Sequence, residues 1–237
     1  MTENSEKQKL VVIGNGMVGH HFLEQLASHQ QAPDFEVTIF CAEPRPAYDR
    51  VHLSEYFAGR NAEDLSIGNL EQYRQWGFKI LLNDQVVEIN REYKAVIAAS
   101  GISVSYDRLI LATGSYPFVP PIPGHKHERC FVYRTVEDLD AIRTVATTAE
   151  TGVVVGGGLL GLEAANALKT LGLKAHVVEF APGLMATQLD DGGSKLLRDK
   201  IEAMGVDVHT STATELIEEV DGRLRMYFKG GGNSPPT

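Results

Sequence analysis

An α/β fold made of two parallel-sheet units is predicted by three features: an apolar run ending in a glycine turn near the start, a second copy of that pattern in mid-chain, and short β-rich pieces between them. The first pattern is Leu10-Val11-Val12-Ile13 followed by Gly14-Asn15-Gly16-Met17-Val18-Gly19. In this G-x-G-x-x-G spacing the first glycine makes the bend, the second lets backbone approach a pyrophosphate, and the third lets helix and strand pack closely. The helix turn that follows, His20 to Leu26, would present N-terminal N–H groups to phosphates. The second copy is Gly152-Val153-Val154-Val155 followed by Gly156-Gly157-Gly158-Leu159-Leu160-Gly161, with the small helix residues Ala164, Ala165 and Ala167 beyond it. One such turn can bind nothing; its repetition points to two Rossmann-like dinucleotide-binding units.

Size and charge narrow the functional classes. A chain of 237 residues holds one or two domains and buries a real core. Its formal net charge is -9, with 22 Lys+Arg against 31 Asp+Glu, so nucleic acid and anionic membranes are poor partners. No apolar segment approaches the roughly 18 residues of a membrane span, and the polar start from Thr2 to Lys9 does not read as a signal peptide. A cytoplasmic protein is expected. Cys41 and Cys130 lie far apart without C-x-x-C spacing, which suggests neither a disulfide framework nor a redox dithiol.

In chain order, Phe22, Leu23 and Leu26 share one helical face, and the helix should fade near Gln30 to Pro33. A second strand, buried on both faces, begins at Phe35 and leads to Ala42-Glu43-Pro44. Glu43 is the acid that would accept hydrogen bonds from an adenosine ribose there, unless it is only a solvated turn carboxylate. The irregular loop Arg45 to Ser54 offers Arg50 to a pyrophosphate, or to an ion pair with Asp49 or Glu55. Leu65 to Trp76 reads as a helix ended by Gly77. From Phe78 to Thr113 come strands at Lys79–Leu82, Val86–Asn90, Ala95–Ala99, Ile102–Tyr106 and Leu109–Ala112. They suggest a small antiparallel β layer closing one face of the parallel sheet. The last of them ends in Thr113-Gly114, leaving room for a large planar ligand.

Pro117, Pro120, Pro121 and Pro123 read as a stiff connection between domains, and His125, His127 and Glu128 beyond them could ligate a metal, though no second cluster supports one. Thr135 with Asp138 resembles a capping box opening a helix from Val136 to Thr147. In the second unit the strand Ala175 to Val178 ends at Glu179, 18 residues after Gly161, close to the roughly 20 expected of a ribose-binding acid. A carboxylate there repels a 2′-phosphate, and no arginine follows from Phe180 to Leu189, so NADH is predicted over NADPH. A helix from Lys195 to Met204, a strand from Val206 to His209 and a hairpin from Glu215 to Phe228 complete the reading. The tail Gly230 to Thr237 cannot pack as strand or helix, and the second unit looks incomplete, as in a truncated protein.

In its two turns, the Ala112-Thr113-Gly114 strand end and the proline segment, the chain resembles the two-dinucleotide flavoprotein reductases. Within them it is most similar to the N-terminal FAD/NAD-binding part of the large subunit of NAD(P)H-dependent assimilatory nitrite reductases. The stretches that carry this are Ile13 to His20, Ala47 to Ser54, Leu111 to Pro117, Tyr133 to Leu139 and Gly156 to Glu163. The resemblance implies an FAD-binding first segment over 8–118 and an NAD(P)H-binding domain over 119–237, the latter inserted between two halves of the former. By motif position Gly14, Gly16, Val18 and Gly19 would border the flavin pyrophosphate, Glu43 its adenosine ribose, and Arg50, Val86, Thr113, Gly114 and Arg134 other parts of FAD. Gly156, Gly158, Gly161 and Glu179 would serve NADH. Two departures stand out: related reductases often carry an acid in place of Ala42 and a lysine in place of Glu55.

The implied activity is hydride transfer from NAD(P)H to FAD, with no side chain acting as acid or base. Electrons would leave through iron–sulfur clusters to a sirohaem, in downstream domains or with a small subunit, because this chain has no cysteine set for either group. Two other readings are a stand-alone NADH-dependent reductase of a small iron–sulfur protein, and a non-catalytic nucleotide-binding truncation.

Overall fold

The continuous apolar run near the start becomes strand β1 (Gln8–Ile13), and it is continuous because both faces of that strand are covered. The computed structural model describes residues 7–230. They form one unit of residues up to Val51 together with Asn61–Tyr116, and a second of His52–Arg60 together with residues from Pro117 onward. The end of the glycine- and proline-rich tail, residues 231–237, lies outside the described residues.

In the first unit β1 is followed by helix α1 (Met17–Ala27), strand β2 (Phe35–Phe40), the short helix α2 (Leu70–Gln75) and strand β3 (Lys79–Leu81). Strands β4 (Val86–Asn90), β5 (Ala95–Ala98) and β6 (Ser103–Ser105) come next, then β7 (Arg108–Leu111). A parallel sheet runs in the order β3-β2-β1-β7, and β4-β5-β6 form a separate antiparallel sheet. The pleat divides the apolar run between two cores. Leu10 and Val12 pack with Val37, Ile39, Leu23, Tyr73 and Phe78 on the helical side. Val11 and Ile13 pack with Phe40, Val96 and Ala98 on the side of the antiparallel layer. Each fully buried side chain of this kind contributes roughly 1.5–3 kcal/mol, so sliding β1 by one residue would exchange two complete apolar sets.

Two expectations are corrected here. The β-rich stretch does not all join the antiparallel layer, because Lys79–Leu81 and Arg108–Leu111 pair in parallel with β2 and β1 as the outer strands of the main sheet. The helix expected from Leu65 is confined to Leu70–Gln75. Leu65 and its neighbours are instead tied to the loop after β2: the Asp49 N–H donates to Leu65 O at 2.8 Å, and the Ile67 N–H to Ala47 O at 3.0 Å. Asn69, extended at φ -135°, then caps α2 by accepting the Gln72 N–H at 2.9 Å.

The second unit opens with helix α3 (Val136–Ala146), strand β8 (Thr151–Val155), helix α4 (Leu159–Thr170) and strand β9 (Lys174–Val178). Helix α5 (Asp191–Ala203), strand β10 (Val206–His209) and the hairpin β11 (Thr214–Val220) and β12 (Arg223–Phe228) follow. The parallel sheet has the order β10-β9-β8, with Ala165, Ala175, Val177, Leu184, Val206 and Val208 at the core. The Thr135–Asp138 capping box forms with both of its hydrogen bonds. Helix α5 starts before the expected Lys195, since the Asp190 side chain accepts the Gly193 N–H at 2.7 Å and carries the glycine pair into the first turn. Asp221 and Gly222, at φ 52° and 76°, supply the positive dihedrals of a tight hairpin turn.

Candidate dinucleotide-binding turns

The two glycine turns are near copies. Gly14 and Gly156 stand at φ +104° and +115°, which only glycine adopts easily, and their N–H groups donate to Phe40 O at 2.8 Å and to Val178 O at 2.9 Å. A Cβ on Gly19 would lie 2.4 Å from Gly14 O, and one on Gly161 would lie 2.0 Å from Gly156 O. These four glycines are therefore demanded by the fold itself. Gly16 and Gly158 are different. They cap α1 and α4 at φ -84° and -81°, dihedrals any residue adopts, and a Cβ on either meets no atom within 4 Å. Among the described residues nothing requires a glycine at these positions, and both backbones are open to a group approaching from outside.

That group faces a helix end with open donors. Neither α1 nor α4 has a side-chain cap or an acidic residue in its first turn. The leading N–H groups of each helix and the positive end of its dipole thus face the space ahead of the turn, as a pyrophosphate requires. Exposed apolar side chains lie in the same first turns: Val18 in one, Leu159 and Leu160 in the other. The residues present fit a dinucleotide in each unit.

The acids at the strand ends are held in contrasting ways. In the first unit Glu43 receives Tyr48 OH on Oε2 at 2.8 Å and Arg50 on Oε1, and the Arg50 guanidinium stacks over the Tyr48 ring at 4.8 Å. Arg50 thus pairs with Glu43, an alternative that its spacing from Asp49 and Glu55 did not suggest. In the second unit Glu179, 8% exposed, takes the Gly157 N–H on Oε2 at 2.5 Å and the Ala181 N–H on Oε1 at 2.7 Å. Gly157 is itself packed so closely that a Cβ would come within 2.6 Å of Leu184.

The remaining site residues divide between the units. Val86 begins β4, opposite Ala98. Thr113 and Gly114 are exposed just past β7, with Gly114 at φ 68°. Arg134 belongs to the second unit, where its N–H donates to Asp138 Oδ2 at 3.1 Å. The histidines after the proline segment are engaged elsewhere: His125 Nδ1 lies 2.8 Å from Ile122 O and His127 Nε2 lies 3.1 Å from Glu219. Among the described residues no group of three or more His, Cys, Asp or Glu is arranged to hold a metal ion, and no helix is long and apolar enough to cross a membrane.

Sequence reasoning missed one set of residues. Asn15, within the first turn, donates from Nδ2 to Tyr73 OH at 2.9 Å and accepts the Ala47 N–H on Oδ1 at 2.9 Å. The Tyr73 hydroxyl lies 2.7 Å from His20 Nδ1. The only signal available in advance was that Asn15 is a polar residue where the second turn has glycine.

A family profile for pyridine nucleotide-disulphide oxidoreductases matches residues 8–234. The chain belongs to that family. Among curated relatives of this oxidoreductase, the nitrite reductase [NAD(P)H] large subunit of Klebsiella oxytoca is 56% identical over 227 residues, covering 96% of this chain and 24% of that protein. The nitrite reductase (NADH) large subunit of Escherichia coli strain K12 is 54% identical over 227 residues, covering 95% of this chain and 27% of that protein. The chain thus spans about a quarter of the length of these relatives. A solved NAD-dependent persulfide reductase from A. fulgidus superposes with a TM-score of 0.87 at 28% identity, over 96% of this chain and 44% of that one.

Proposed function

We propose that this oxidoreductase chain is the FAD-linked, NADH-oxidising module of an assimilatory nitrite reductase large subunit. FAD is held by the segment 8–118 and NADH by the segment 119–237. The observation that carries this reading is that Gly16 and Gly158 are each glycine where neither dihedral nor packing requires it, ahead of a helix end with open donors. FAD, when bound, accepts a hydride from the nicotinamide and releases electrons singly, which is chemistry no side chain here supplies.

What the protein contributes is orientation. Gly14, Gly16, Val18 and Gly19 border the flavin pyrophosphate. Glu43 serves its adenosine ribose, and Arg50, Val86, Thr113, Gly114 and Arg134 other parts of FAD. Gly156, Gly158 and Gly161 cradle the pyrophosphate of NADH. Glu179 takes its ribose hydroxyls with the lone pairs that its two backbone N–H donors leave open. A carboxylate fixed there disfavours a 2′-phosphate, which supports NADH over NADPH. On this reading sirohaem and iron–sulfur clusters belong to a full-length protein, outside this segment, with downstream domains or a small subunit as electron acceptors in the cytoplasm.

The test is direct. The purified 237-residue chain is expected to be yellow, or to become so on adding FAD, and to bleach anaerobically with NADH. A colourless protein that takes up no added FAD overturns the reading and leaves a non-catalytic nucleotide-binding fragment. Bleaching by NADH with transfer only to a small iron–sulfur protein, and none to nitrite-reducing domains, would favour a stand-alone reductase.

A further inference from the structure

The buried polar chain under the first glycine turn has no counterpart in the second, where the residue equivalent to Asn15 is Gly157. Asn15, Tyr73 and His20 are 5%, 0% and 5% exposed, so each of their hydrogen bonds is made away from water. Between them they tie the turn to two helices and to the loop after β2. Asn15 lies in the turn, His20 on α1, Tyr73 on α2, and Ala47 in the loop that goes on to Tyr48 and Arg50. His20 also bonds the backbone of Ile67, and a Cβ on Gly68 would sit 2.8 Å from its ring. The rings of His20, Tyr73 and Trp76 pack against one another with centroids 5.5 to 5.9 Å apart.

We propose that Asn15, Tyr73 and His20 form a positioning relay that fixes the phosphate turn of the first unit and the Ala47 loop in one geometry. Its role in holding FAD rests on the function proposed above. The direction of the relay follows from donor counting. Asn15 Oδ1 is committed to the Ala47 N–H, so Nδ2 donates to the Tyr73 oxygen and the Tyr73 proton goes to an unprotonated His20 Nδ1. Protonating His20 places an N–H on Nδ1 and reverses the chain. Tyr73 must then donate toward Asn15 Oδ1, at the longer distance of 3.2 Å, onto an atom already accepting the Ala47 N–H. Acid therefore loosens the turn. Burial holds His20 toward the neutral form; Glu24 and the Ile67 backbone favour the charged form and His21 opposes it, with Cys41 acting on Tyr73.

The test compares wild type, Tyr73→Phe and His20→Asn by residue-resolved amide hydrogen exchange, corrected for the intrinsic effect of pH, and by FAD titration. Tyr73→Phe removes one hydroxyl. It is expected to speed exchange at Ala47 and across Asn15 to Gly19 about tenfold, to leave Gly156 to Gly161 unchanged, and to weaken FAD about tenfold. His20→Asn keeps an acceptor near Nδ1 but cannot titrate. It is expected to lose the acid weakening of FAD binding that wild type shows, each protein being compared with its own affinity at pH 7.5.

Unchanged exchange in Tyr73→Phe, or equal loosening of both turns, overturns the relay, as does acid weakening that persists in His20→Asn. Should Tyr73→Phe fail to fold, the exchange of wild type and His20→Asn across pH decides alone. A wild type that takes no FAD but shows the expected exchange pattern sinks the FAD reading and leaves the relay standing. Normal FAD binding by a loosened Tyr73→Phe removes the relay from cofactor positioning.

Discussion

Gly157 and Glu179 are joined across the mouth of the second turn by a hydrogen bond of 2.5 Å from the glycine N–H to Oε2. In the first unit the turn is pinned from the opposite side: Asn15 reaches out with a side chain and accepts the Ala47 N–H. Both devices tie the middle of the turn to the chain just after the second strand. They load the strand-end acid differently, because Glu179 is held by backbone donors while Glu43 is held by the side chains of Tyr48 and Arg50. A strand-end acid held by backbone is fixed before any ligand arrives.

Glu179→Gln is therefore expected to impair both the turn and the ribose site. A carboxamide has one accepting oxygen, so its NH2 must face either the Gly157 or the Ala181 N–H. The loss of a charge-assisted hydrogen bond, about 1.5–3 kcal/mol, predicts roughly ten- to hundredfold weaker NADH binding. NADPH should suffer less, since the carboxylate proposed to repel its 2′-phosphate is gone. Titration with both nucleotides checks this; an undiminished preference for NADH would show that discrimination lies elsewhere.

The glycine turns allow a sharper separation of fold from function. Gly14→Ala forces a side chain into φ +104° and to 2.2 Å from Ala112 O, so it should cost more than about 2 kcal/mol of stability. Gly16→Ala and Gly158→Ala enter open space and should cost only the difference between glycine and alanine at an N-cap, about 1 kcal/mol, read as a small shift in urea midpoint. Yet Gly16→Ala should weaken FAD and Gly158→Ala should weaken NADH, each by at least about tenfold. Full nucleotide affinity in these two variants would mean that nothing approaches their backbones.

The parts legible in the sequence were those governed by local rules. The G-x-G-x-x-G spacing, the Thr135–Asp138 cap and the continuous apolar run Leu10 to Ile13 each leave a short-range signature. What escaped depends on partners distant in sequence. Leu65 fits a helical pattern, but the Asp49 N–H claims its carbonyl and the Ala47 carbonyl claims the Ile67 N–H, so the chain stays extended until Asn69. Lys79–Leu81 and Arg108–Leu111 look like the other short strands, and only pairing with β2 and β1 makes them parallel. Asn15 occupies a variable position of its motif, and its bonds to Tyr73 and Ala47 have no periodic signal.

Helix α3 offers a test of one such local rule. Asp138 Oδ2 accepts the N–H groups of Thr135 at 2.8 Å and Arg134 at 3.1 Å, while Thr135 Oγ1 accepts the Asp138 N–H at 3.2 Å. Thr135→Ala should cost about 1 kcal/mol, read as a shift in urea midpoint. Asp138→Ala should cost more, since it frees two donors, and it also releases the backbone of Arg134. An additive double variant would argue against reciprocal capping, because a shared motif predicts a sub-additive loss.

Acid stability is the last prediction. His20 and His176 are both held below the ordinary histidine value of 6.5, chiefly by burial. Around His176, Asp207 favours the charged form while Lys174 and His209 oppose it, and the rings of His176 and His209 stack with centroids 5.4 Å apart. His176 Nε2 is buried with no hydrogen-bond partner among the described residues, so a proton there would be an unsatisfied buried donor. Between the lowered folded value and 6.5 the unfolded chain binds a proton that the folded chain does not. Stability must then fall as pH drops through that window, by at most about 1.4 kcal/mol per pH unit for each histidine, and level off for these groups below it. Urea midpoints at pH 7.5, 6.5 and 5.5 are expected to decline in wild type and to decline less in His176→Phe, whose ring fills the same place without titrating. An identical decline in both proteins would assign the acid sensitivity to other groups.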